Sequence, residues 1–337
     1  MIMQKLLTRI FMFVLKSAVF LAPREACQKK IEEINCTINK IQEYNLHGWS
    51  YRSVISHETQ EQYWYYEAGP DTAPVLVCIH GLMLDGRTFV KLNRYLRDYR
   101  IIAINMPEQS SLYTGSIENF LTIIVDFLRS VNVRECDLMG VSFGGVVATH
   151  LVAHLPEDIA VRRLVLASSV IAGATRSIRN SVKVNHEWIR SVPDYQIYWF
   201  FEQLINFVKN TRGQKSGDEE LVEFLRVKHP AYYRQVFEAL ANYQGLEDAC
   251  RIFCPVIVMN GEKDMLIDKE MRNLMKHIFD GKRYFTIPEA SHEMMFTKTE
   301  LVARHMENFF TRTRRPVPAT GINISAVYNR HPVTRVK

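Results

Sequence analysis

The chain has 337 residues, of which 47% are hydrophobic and 23% are charged, with a net charge of +6 at neutral pH. This composition is typical of a globular protein and excludes a disordered or fibrous chain. The length fits one domain with an insertion, and six cysteines in a chain this long exclude a small disulfide-framework protein.

The first 23 residues are mainly apolar, but Lys5, Arg9 and Lys16 interrupt them. With a helical advance of about 100° per residue, these three cations share a stripe roughly 40° wide. No apolar run approaches the ~20 residues that span a bilayer. We therefore predict that residues 1–30 contain an amphipathic helix that lies in a membrane surface and makes the protein membrane-associated. A helix docked on the rest of the protein or on a second copy, and a cleaved signal peptide, are the alternatives.

Two stretches with alternating aromatic residues, Trp49–Ser56 and Gln62–Ala68, predict an antiparallel hairpin. Short apolar runs then alternate with helical patterns, of which Ile117–Val131 is the clearest helix. The predicted parallel strands occupy residues 75–80, 100–105, 136–141, 162–168, 256–260 and 283–287. The predicted fold class is therefore α/β, with a mostly parallel twisted sheet of about eight strands flanked by helices. Residues 45–172 and 249–315 would form this core.

The alternation stops between residues 173 and 248, where the pattern is helical and rich in aromatic residues. An insertion between strands at the carboxyl edge of such a sheet lies over the ligand crevice. We therefore predict a helical cap, with a few aromatic side chains facing a pocket for acyl chains. Residues 316–337 are predicted to be a basic, loose tail. No nucleic-acid-binding motif accompanies that charge, so no nucleic-acid partner is expected.

Residues 140–144 have the sequence Gly-Val-Ser-Phe-Gly, a G-x-S-x-G pattern, between a predicted strand and a predicted helix. At such a junction Ser142 lies on a tight turn, and the flanking glycines permit the strained backbone. The turn pushes the serine hydroxyl clear of the sheet. This context indicates a nucleophilic serine for acyl transfer.

A serine hydroxyl needs a histidine base, and the histidine needs an acid that orients it. In this strand–turn–helix arrangement the chain order is serine, acid, histidine. Asp264 follows the apolar run 256–261, although an aspartate there could also cap the next helix. His292 follows the next strand pattern, so we predict Ser142, Asp264 and His292 as a catalytic triad. The other candidates are Glu262 and Asp268 for the acid, and His80, His150 and His154 for the base.

The apolar run Val75–Ile79 predicts a central parallel strand, which His80, Gly81 and Leu82 follow. We predict that the backbone N–H groups of Leu82 and Phe143 bind the oxyanion that forms on the substrate. Two such preset donors would each stabilise the transition state by about 3 kcal/mol.

Cys78 and Cys136 lie on or beside predicted core strands and are expected to pack as small apolar residues. Cys250 and Cys254 are four residues apart but lack a second pair of metal ligands. The sequence therefore predicts no metal site.

Together these motifs resemble the alpha/beta hydrolase superfamily, over about residues 45–312. The resembling segments are His80-Gly81 with Gly86, the run 140–145, the run 261–264, and Ser291-His292. Within the superfamily the chain is similar to the lipase and esterase branch that includes monoacylglycerol lipases. The resemblance implies hydrolysis of carboxylic esters, no cofactor and a helical cap. It makes a small-molecule or lipid ester, such as a monoacylglycerol, the expected substrate.

The chain departs from the family after the strand at 101–104, where the family usually carries Asp-x-Pro-Gly-x-Gly-x-Ser. Residues 105–111 are Asn-Met-Pro-Glu-Gln-Ser-Ser, without the aspartate and both glycines. That loop normally shapes the pocket floor, so its change leaves the triad intact but weakens the substrate inference. Acyl transfer to another acceptor, thioester or amide hydrolysis, and a catalytically silent module that binds a hydrophobic ligand are the alternatives. The oligomeric state is open.

Overall fold

The structure, a computed structural model, describes residues 12–37, 48–212, 219–279 and 283–313. Residues 1–11 of the predicted N-terminal helix and the predicted tail 316–337 lie outside these ranges. The strands are β1 (Trp49–Ile55), β2 (Gln62–Ala68), β3 (Val75–Ile79), β4 (Arg100–Asn105), β5 (Glu135–Val141), β6 (Ala160–Ala167), β7 (Val256–Gly261) and β8 (Tyr284–Ile287).

These strands form one eight-stranded sheet in the order β1-β2-β4-β3-β5-β6-β7-β8. β2 pairs antiparallel with both β1 and β4. All other pairs are parallel, from β4 through β3 and β5 to β8. The prediction of an α/β fold with a mostly parallel sheet of about eight strands is confirmed.

The described helices are α1 (Arg24–Thr37), α2 (Ile117–Ser130), α3 (Phe143–Ala153), α4 (Arg176–Ser191), α5 (Asp194–Arg212), α6 (Glu219–Phe224), α7 (Pro230–Asn242), α8 (Gly245–Arg251), α9 (Lys269–Ile278), α10 (Met294–Thr297) and α11 (Thr299–Arg312). Alternate side chains of the central strands point to opposite faces of the sheet, and both faces are buried. Val77 and Ile79 pack in the same core as α2 and α3, whereas Leu76 and Cys78 pack with α11.

α2 supports the start of α3. It begins with a capping box, in which the Ser116 hydroxyl accepts from the N–H of Glu118 and the Asn119 side chain accepts from the N–H of Ser116. One turn later, Phe120 meets Phe143 edge to face, with ring centroids 5.0 Å apart. This contact holds the first residue of α3 against the core.

The helices α4 to α8, between β6 and β7, are called the cap below. Several of its aromatic residues pack against one another, as in the stack of Phe201 on Tyr233, whose ring centroids are 3.6 Å apart. Ile189, Ile197 and Phe200 complete this small core. The cap therefore has an apolar interior of its own, separate from the sheet.

The described part of the N-terminal region docks on the cap. Residues 12–17 are helical, and Val19–Leu21 form a 3-10 turn. Leu15 and Val19 are buried in the cap core. Lys16 donates to Asn185 Oδ1 at 2.8 Å and lies 5.1 Å from the Trp188 ring centroid, so it faces α4. This contact agrees with the alternative in which the helix docks on the rest of the protein. None of the described helices combines the length and apolarity required to cross a membrane.

Candidate active site

Ser142 lies at the junction of β5 and α3 with φ 53° and ψ −120°, a backbone conformation that non-glycine residues rarely adopt. Its N–H donates to the carbonyl oxygen of Ala167 at 3.0 Å. Its own carbonyl oxygen accepts from the N–H of Gly145 at 2.9 Å and from the Ser169 hydroxyl at 3.1 Å. These bonds hold the strained turn in place.

Two glycines beside Ser142 allow three backbone segments to meet. A Cβ on Gly140 would lie 2.4 Å from the carbonyl oxygen of Gly144, and a Cβ on Gly144 would lie 2.2 Å from that of Ile79. Since no side chain fits at these distances, the G-x-S-x-G pattern here reflects close packing of β5, α3 and the end of β3. The packing brings the loop 80–82 next to Ser142.

His292 connects the Ser142 hydroxyl to a carboxylate. Its Nε2 lies 2.9 Å from Ser142 Oγ, and its Nδ1 lies 2.8 Å from Asp264 Oδ2. The Asp264 side chain is fully buried, and its Oδ1 accepts from the N–H of Leu266 at 2.9 Å. Because a carboxylate accepts, Nδ1 carries the proton and Nε2 offers its lone pair to the serine hydroxyl.

Backbone bonds tie the two loops that carry Asp264 and His292. The N–H of Glu262 donates to the carbonyl oxygen of Ile287 at 2.9 Å, and the N–H of Lys263 donates to that of Ala290 at 2.7 Å. The loops after β7 and β8 therefore form one unit, which fixes the distance between acid and base.

The two alternative acids, Asp268 and Glu262, make hydrogen bonds to backbone N–H groups elsewhere. Asp268 caps α9, since its Oδ1 accepts from the N–H of Met271 at 2.8 Å. Glu262 is exposed and accepts from the N–H of Glu289 at 3.0 Å. Asp264, by contrast, hydrogen-bonds to the His292 ring. Asp264 is thus the candidate acid that contacts His292, and its catalytic role stays a prediction.

His80 is buried and orients the predicted oxyanion loop. The N–H of Met106 donates to His80 Nε2 at 3.0 Å, so the ring proton is on Nδ1, which donates to the carbonyl oxygen of Gly81 at 2.7 Å. That carbonyl shares a peptide unit with the N–H of Leu82, so His80 sets the direction of this N–H. Burial and, to a smaller extent, the charge of Lys228 lower the pKa of His80 to about 3, which keeps the ring neutral.

The two predicted oxyanion donors belong to residues next to Ser142. Phe143 follows it in sequence and is the first residue of α3, where an N–H has no acceptor inside the helix. Leu82 follows Gly81 in sequence, and Gly81 packs directly against Ser142. A Cβ on Gly81 would lie 3.3 Å from Ser142 Cβ. Their role as oxyanion donors stays a prediction.

A buried group of charges near this loop was not predicted. Glu108 Oε1 lies 2.7 Å from Arg226 Nη2 and 3.3 Å from Lys228 Nζ, and Glu108 Oε2 accepts from the N–H of His229 at 2.7 Å. The Lys228 side chain is completely buried. Burial and, to a smaller extent, the charge of Arg226 lower the pKa of Lys228 to about 8. Glu108 thus joins the core to the α6–α7 connector of the cap.

Asp85 and Arg87 extend this group, which we call the ionic group: Asp85, Arg87, Glu108, Arg226 and Lys228. Arg87 makes a bidentate interaction with Asp85, in which Nε donates to Oδ1 at 2.9 Å and Nη2 donates to Oδ2 at 2.8 Å. Burial opposes ionisation of Asp85, but the Arg87 hydrogen bonds prevail and lower its pKa. The one sequence signal for the ionic group was the departure of residues 105–111 from the family pattern, since Glu108 lies in that segment.

The other two candidate histidines face away from Ser142. His150 lies eight residues further along α3, about 12 Å at the rise of a helix, and His154 follows the end of that helix. His150 Nδ1 lies 2.7 Å from Asp248 Oδ2, and His154 Nε2 lies 2.8 Å from Asp248 Oδ1. Both rings therefore contact Asp248, whereas the Ser142 hydroxyl contacts the ring of His292.

A protein-family model described as "Alpha/beta hydrolase family" matches residues 76–305, more than half of the chain. Among curated relatives, the uncharacterized hydrolase YugF of Bacillus subtilis is 22% identical over 252 residues, which cover 69% of this chain and 89% of its own length. The monoacylglycerol lipase ABHD6 of Mus musculus is 20% identical over 292 residues, covering 78% of this chain and 85% of its own.

Solved structures show the same fold. A membrane phospholipase A, described as a bacterial virulence factor, matches with a TM-score of 0.61 and 21% identity, covering 93% of this chain and 99% of its own. A thermophilic esterase from Thermogutta terrifontis matches with a TM-score of 0.63 and 16% identity, covering 79% and 100%. The resemblance that the motifs carry is confirmed, and the chain belongs to the alpha/beta hydrolase family.

Proposed function

We propose that the protein is a serine hydrolase that cleaves carboxylic esters through an acyl-enzyme intermediate. One observation carries the proposal above all others. The Ser142 hydroxyl, the His292 ring and the Asp264 carboxylate form an unbroken hydrogen-bonded chain, with links of 2.9 and 2.8 Å. Three polar groups distant in sequence have no packing reason to meet in this order, whereas a nucleophile, a base and an orienting acid must do so.

In the proposed reaction, Ser142 Oγ attacks the ester carbonyl carbon while His292 Nε2 takes its proton. The oxyanion receives hydrogen bonds from the N–H groups of Leu82 and Phe143. The tetrahedral intermediate collapses, and the alcohol leaves with the proton from His292. Water then attacks the acyl-enzyme with His292 again as base, which releases the acid and restores Ser142. Asp264 orients the ring and stabilises its charged form.

The proposed substrate class is a lipid ester, with monoacylglycerol as the first candidate. Two relatives support it: ABHD6 is named a monoacylglycerol lipase, and the matched solved structure is a membrane phospholipase A. The aromatic cap and the apolar N-terminal segment agree with a substrate that partitions into lipid. No cofactor enters the proposed reaction.

We also propose that the N-terminal segment associates with a membrane surface. While Leu15 and Val19 pack into the cap, Phe13, Phe20 and Leu21 are 72%, 73% and 66% exposed. Exposure of three large apolar side chains within nine residues is unfavourable in water. A bilayer interface would bury them and hold the cap beside its lipid substrate.

Labelling with a fluorophosphonate probe tests the nucleophile. We expect the wild-type protein to be labelled and Ser142→Ala to be unlabelled, with ester turnover lower by roughly four to six orders of magnitude. Ser53→Ala, an exposed hydroxyl on β1, serves as the control and keeps both properties. Full activity of a folded Ser142→Ala protein would refute the assignment.

A series of acyl esters, thioesters, amides and glycerides of increasing chain length tests the substrate class. For a lipid esterase, kcat/KM rises with acyl length and is highest on esters. Product analysis with an added alcohol separates hydrolysis from acyl transfer. Ser142-dependent labelling without turnover of any member of the series would count against the lipid ester proposal.

A further inference from the structure

The back of the nucleophile helix carries a second group of polar side chains that the proposed reaction does not use. His150 lies on α3, His154 follows the last residue of that helix, and Asp248 lies on α8. One carboxylate oxygen of Asp248 contacts each ring, at 2.7 and 2.8 Å. His150 and Asp248 are buried, whereas the His154 side chain is 38% exposed. This cluster therefore has a rigid inner part and a face open to solvent.

The three side chains have the chemistry of a metal site. Each offers one ligand atom, and these atoms lie within 4.8 Å of one another, which no other such group among the described residues was found to do. A zinc ion with bonds of about 2.1 Å holds its ligand atoms roughly 3.4 Å apart. Small rotations of the side chains would bring them around one ion. Two imidazoles and a carboxylate are ligands that zinc prefers, with water completing the tetrahedron.

The outer nitrogen of His150 is an independent pointer. His150 Nε2 is buried without a hydrogen-bond partner, and the nearest carboxylate, Glu118 Oε1, is 4.0 Å away. If Nδ1 of the neutral ring donates to Asp248, Nε2 carries no proton. Its lone pair then faces the Glu118 carboxylate, and two acceptors face each other without a hydrogen bond, which is unfavourable. If Nδ1 binds a metal, Nε2 carries the proton and points at Glu118. Metal-bound histidines usually donate their second N–H to such a carboxylate.

We propose that His150, His154 and Asp248 bind a divalent transition metal ion, with zinc as the best match. The ion would link the end of α3, which begins after the serine nucleophile, to α8, the last helix of the cap before β7. It would act as a structural cross-link, since it is far from Ser142 along α3. The sequence predicted no metal site because the third ligand is 94 residues or more from the histidines.

Zinc content and thermal unfolding of the full chain test the proposal. After treatment with a chelator and addition of zinc, we expect one zinc per chain. At a zinc concentration about 100-fold above Kd, the midpoint of unfolding rises by about 4 °C. His154→Gln removes the partly exposed ligand and abolishes both effects, whereas His154→Cys, which keeps a zinc ligand, retains them.

His57→Gln is the matched control, because His57 is an exposed histidine outside the cluster, and it behaves as the wild type. Both measurements are independent of catalysis and can be repeated in Ser142→Ala. Wild-type protein without stoichiometric zinc, or an equal zinc response in His154→Gln, would overturn the proposal. A midpoint that responds to pH but not to zinc would identify the cluster as a proton-binding hydrogen-bond network and overturn it as well.

Discussion

Ser142 owes its proposed reactivity to the orientation of one imidazole ring. Asp264 fixes that ring through Nδ1, and the acid is itself held by the N–H of Leu266. An amide in place of the carboxylate could donate to Nδ1 and stabilise the wrong tautomer of His292. The acid is therefore needed for proton transfer more than for the fold.

We predict that Asp264→Asn lowers kcat by about ten-thousand-fold with little change in thermal stability. Asp268→Asn is the matched control, because asparagine caps a helix as well as aspartate does and α9 would be preserved. Steady-state kinetics on a soluble ester measure the effect. Equal kinetics for the two variants would show that Asp264 is not the orienting acid.

His80 gives the folded state a specific pH dependence. Burial lowers its pKa to about 3, so the unfolded chain binds a proton near the ordinary pKa of 6.5 that the folded chain does not bind. The stabilising effect is complete above pH 6.5 and is lost as pH falls toward 3. Between pH 7 and 5 this one group should lower the free energy of unfolding by about 2 kcal/mol.

We therefore predict that His80→Asn has a shallower decline of stability between pH 7 and 5 than the wild type, by about 2 kcal/mol. The asparagine amide can still donate to the Gly81 carbonyl, so the loop keeps one of its two bonds. Urea unfolding at the two pH values measures the difference, and the exposed His57→Asn is the control. A wild-type slope in His80→Asn would mean that His80 is not neutral in the fold.

At the scale of elements, the contact of the cap connector with the loop after β4 depends on Glu108. Its carboxylate faces Arg226 and the fully buried Lys228, and it accepts from the connector backbone at His229. Removal of one partner from a buried ion pair leaves an uncompensated charge, which costs more than the pair contributes when intact.

We predict that Glu108→Gln lowers the free energy of unfolding by about 3 kcal/mol. Adding Lys228→Met to this variant should restore part of the loss, because it removes the uncompensated cation. Glu135→Gln, which breaks an exposed pair with Arg162, should change stability by less than about 0.5 kcal/mol. Denaturant unfolding measures all three. No loss in Glu108→Gln would show that the ionic group does not stabilise the contact.

The sheet was predictable from the sequence because its strands are short apolar runs or alternating aromatic stretches, and local pattern is enough to recognise them. The grouping of Ser142, Asp264 and His292 was predictable for a topological reason: parallel strands place the loops at their carboxyl ends on one edge. Chain order then reduced the choice of acid and base to a few residues.

Contacts between separate loops were not predictable. Glu108 and Lys228 are 120 residues apart in the sequence, and no local pattern pairs an acid in one loop with a lysine in another. The spacing of His150 and His154 predicts that they lie close together, but the sequence does not show that the last helix of the cap brings Asp248 between them. The docking of Lys16 on α4 stayed one of several alternatives for the same reason, since helical periodicity defines a stripe but not its partner.

At the scale of the molecule, the exposed side of the N-terminal segment predicts membrane binding. Replacement of Phe13, Phe20 and Leu21 by serine should weaken binding to phosphatidylglycerol vesicles by at least about 100-fold, because three large apolar side chains are lost from the interface. Thermal stability should be unchanged, since none of the three is buried. Vesicle sedimentation measures the binding.

Phe253→Ser is the control for this experiment, because Phe253 is 71% exposed in the connection between α8 and β7. Its vesicle binding should equal that of the wild type. Unaltered sedimentation of the triple variant would exclude the segment as the membrane contact and leave docking on the cap as its described role.

The apolar segment rests on the cap rather than on the sheet, through Leu15, Val19 and the bond from Lys16 to Asn185. A displacement of the cap that admits a substrate would therefore carry the segment with it and change its depth in the lipid. Opening of the cap would then require work against the lateral pressure of the lipid layer. Turnover on a compressed monolayer would fall as surface pressure rises, whereas turnover on a dissolved ester would not depend on it.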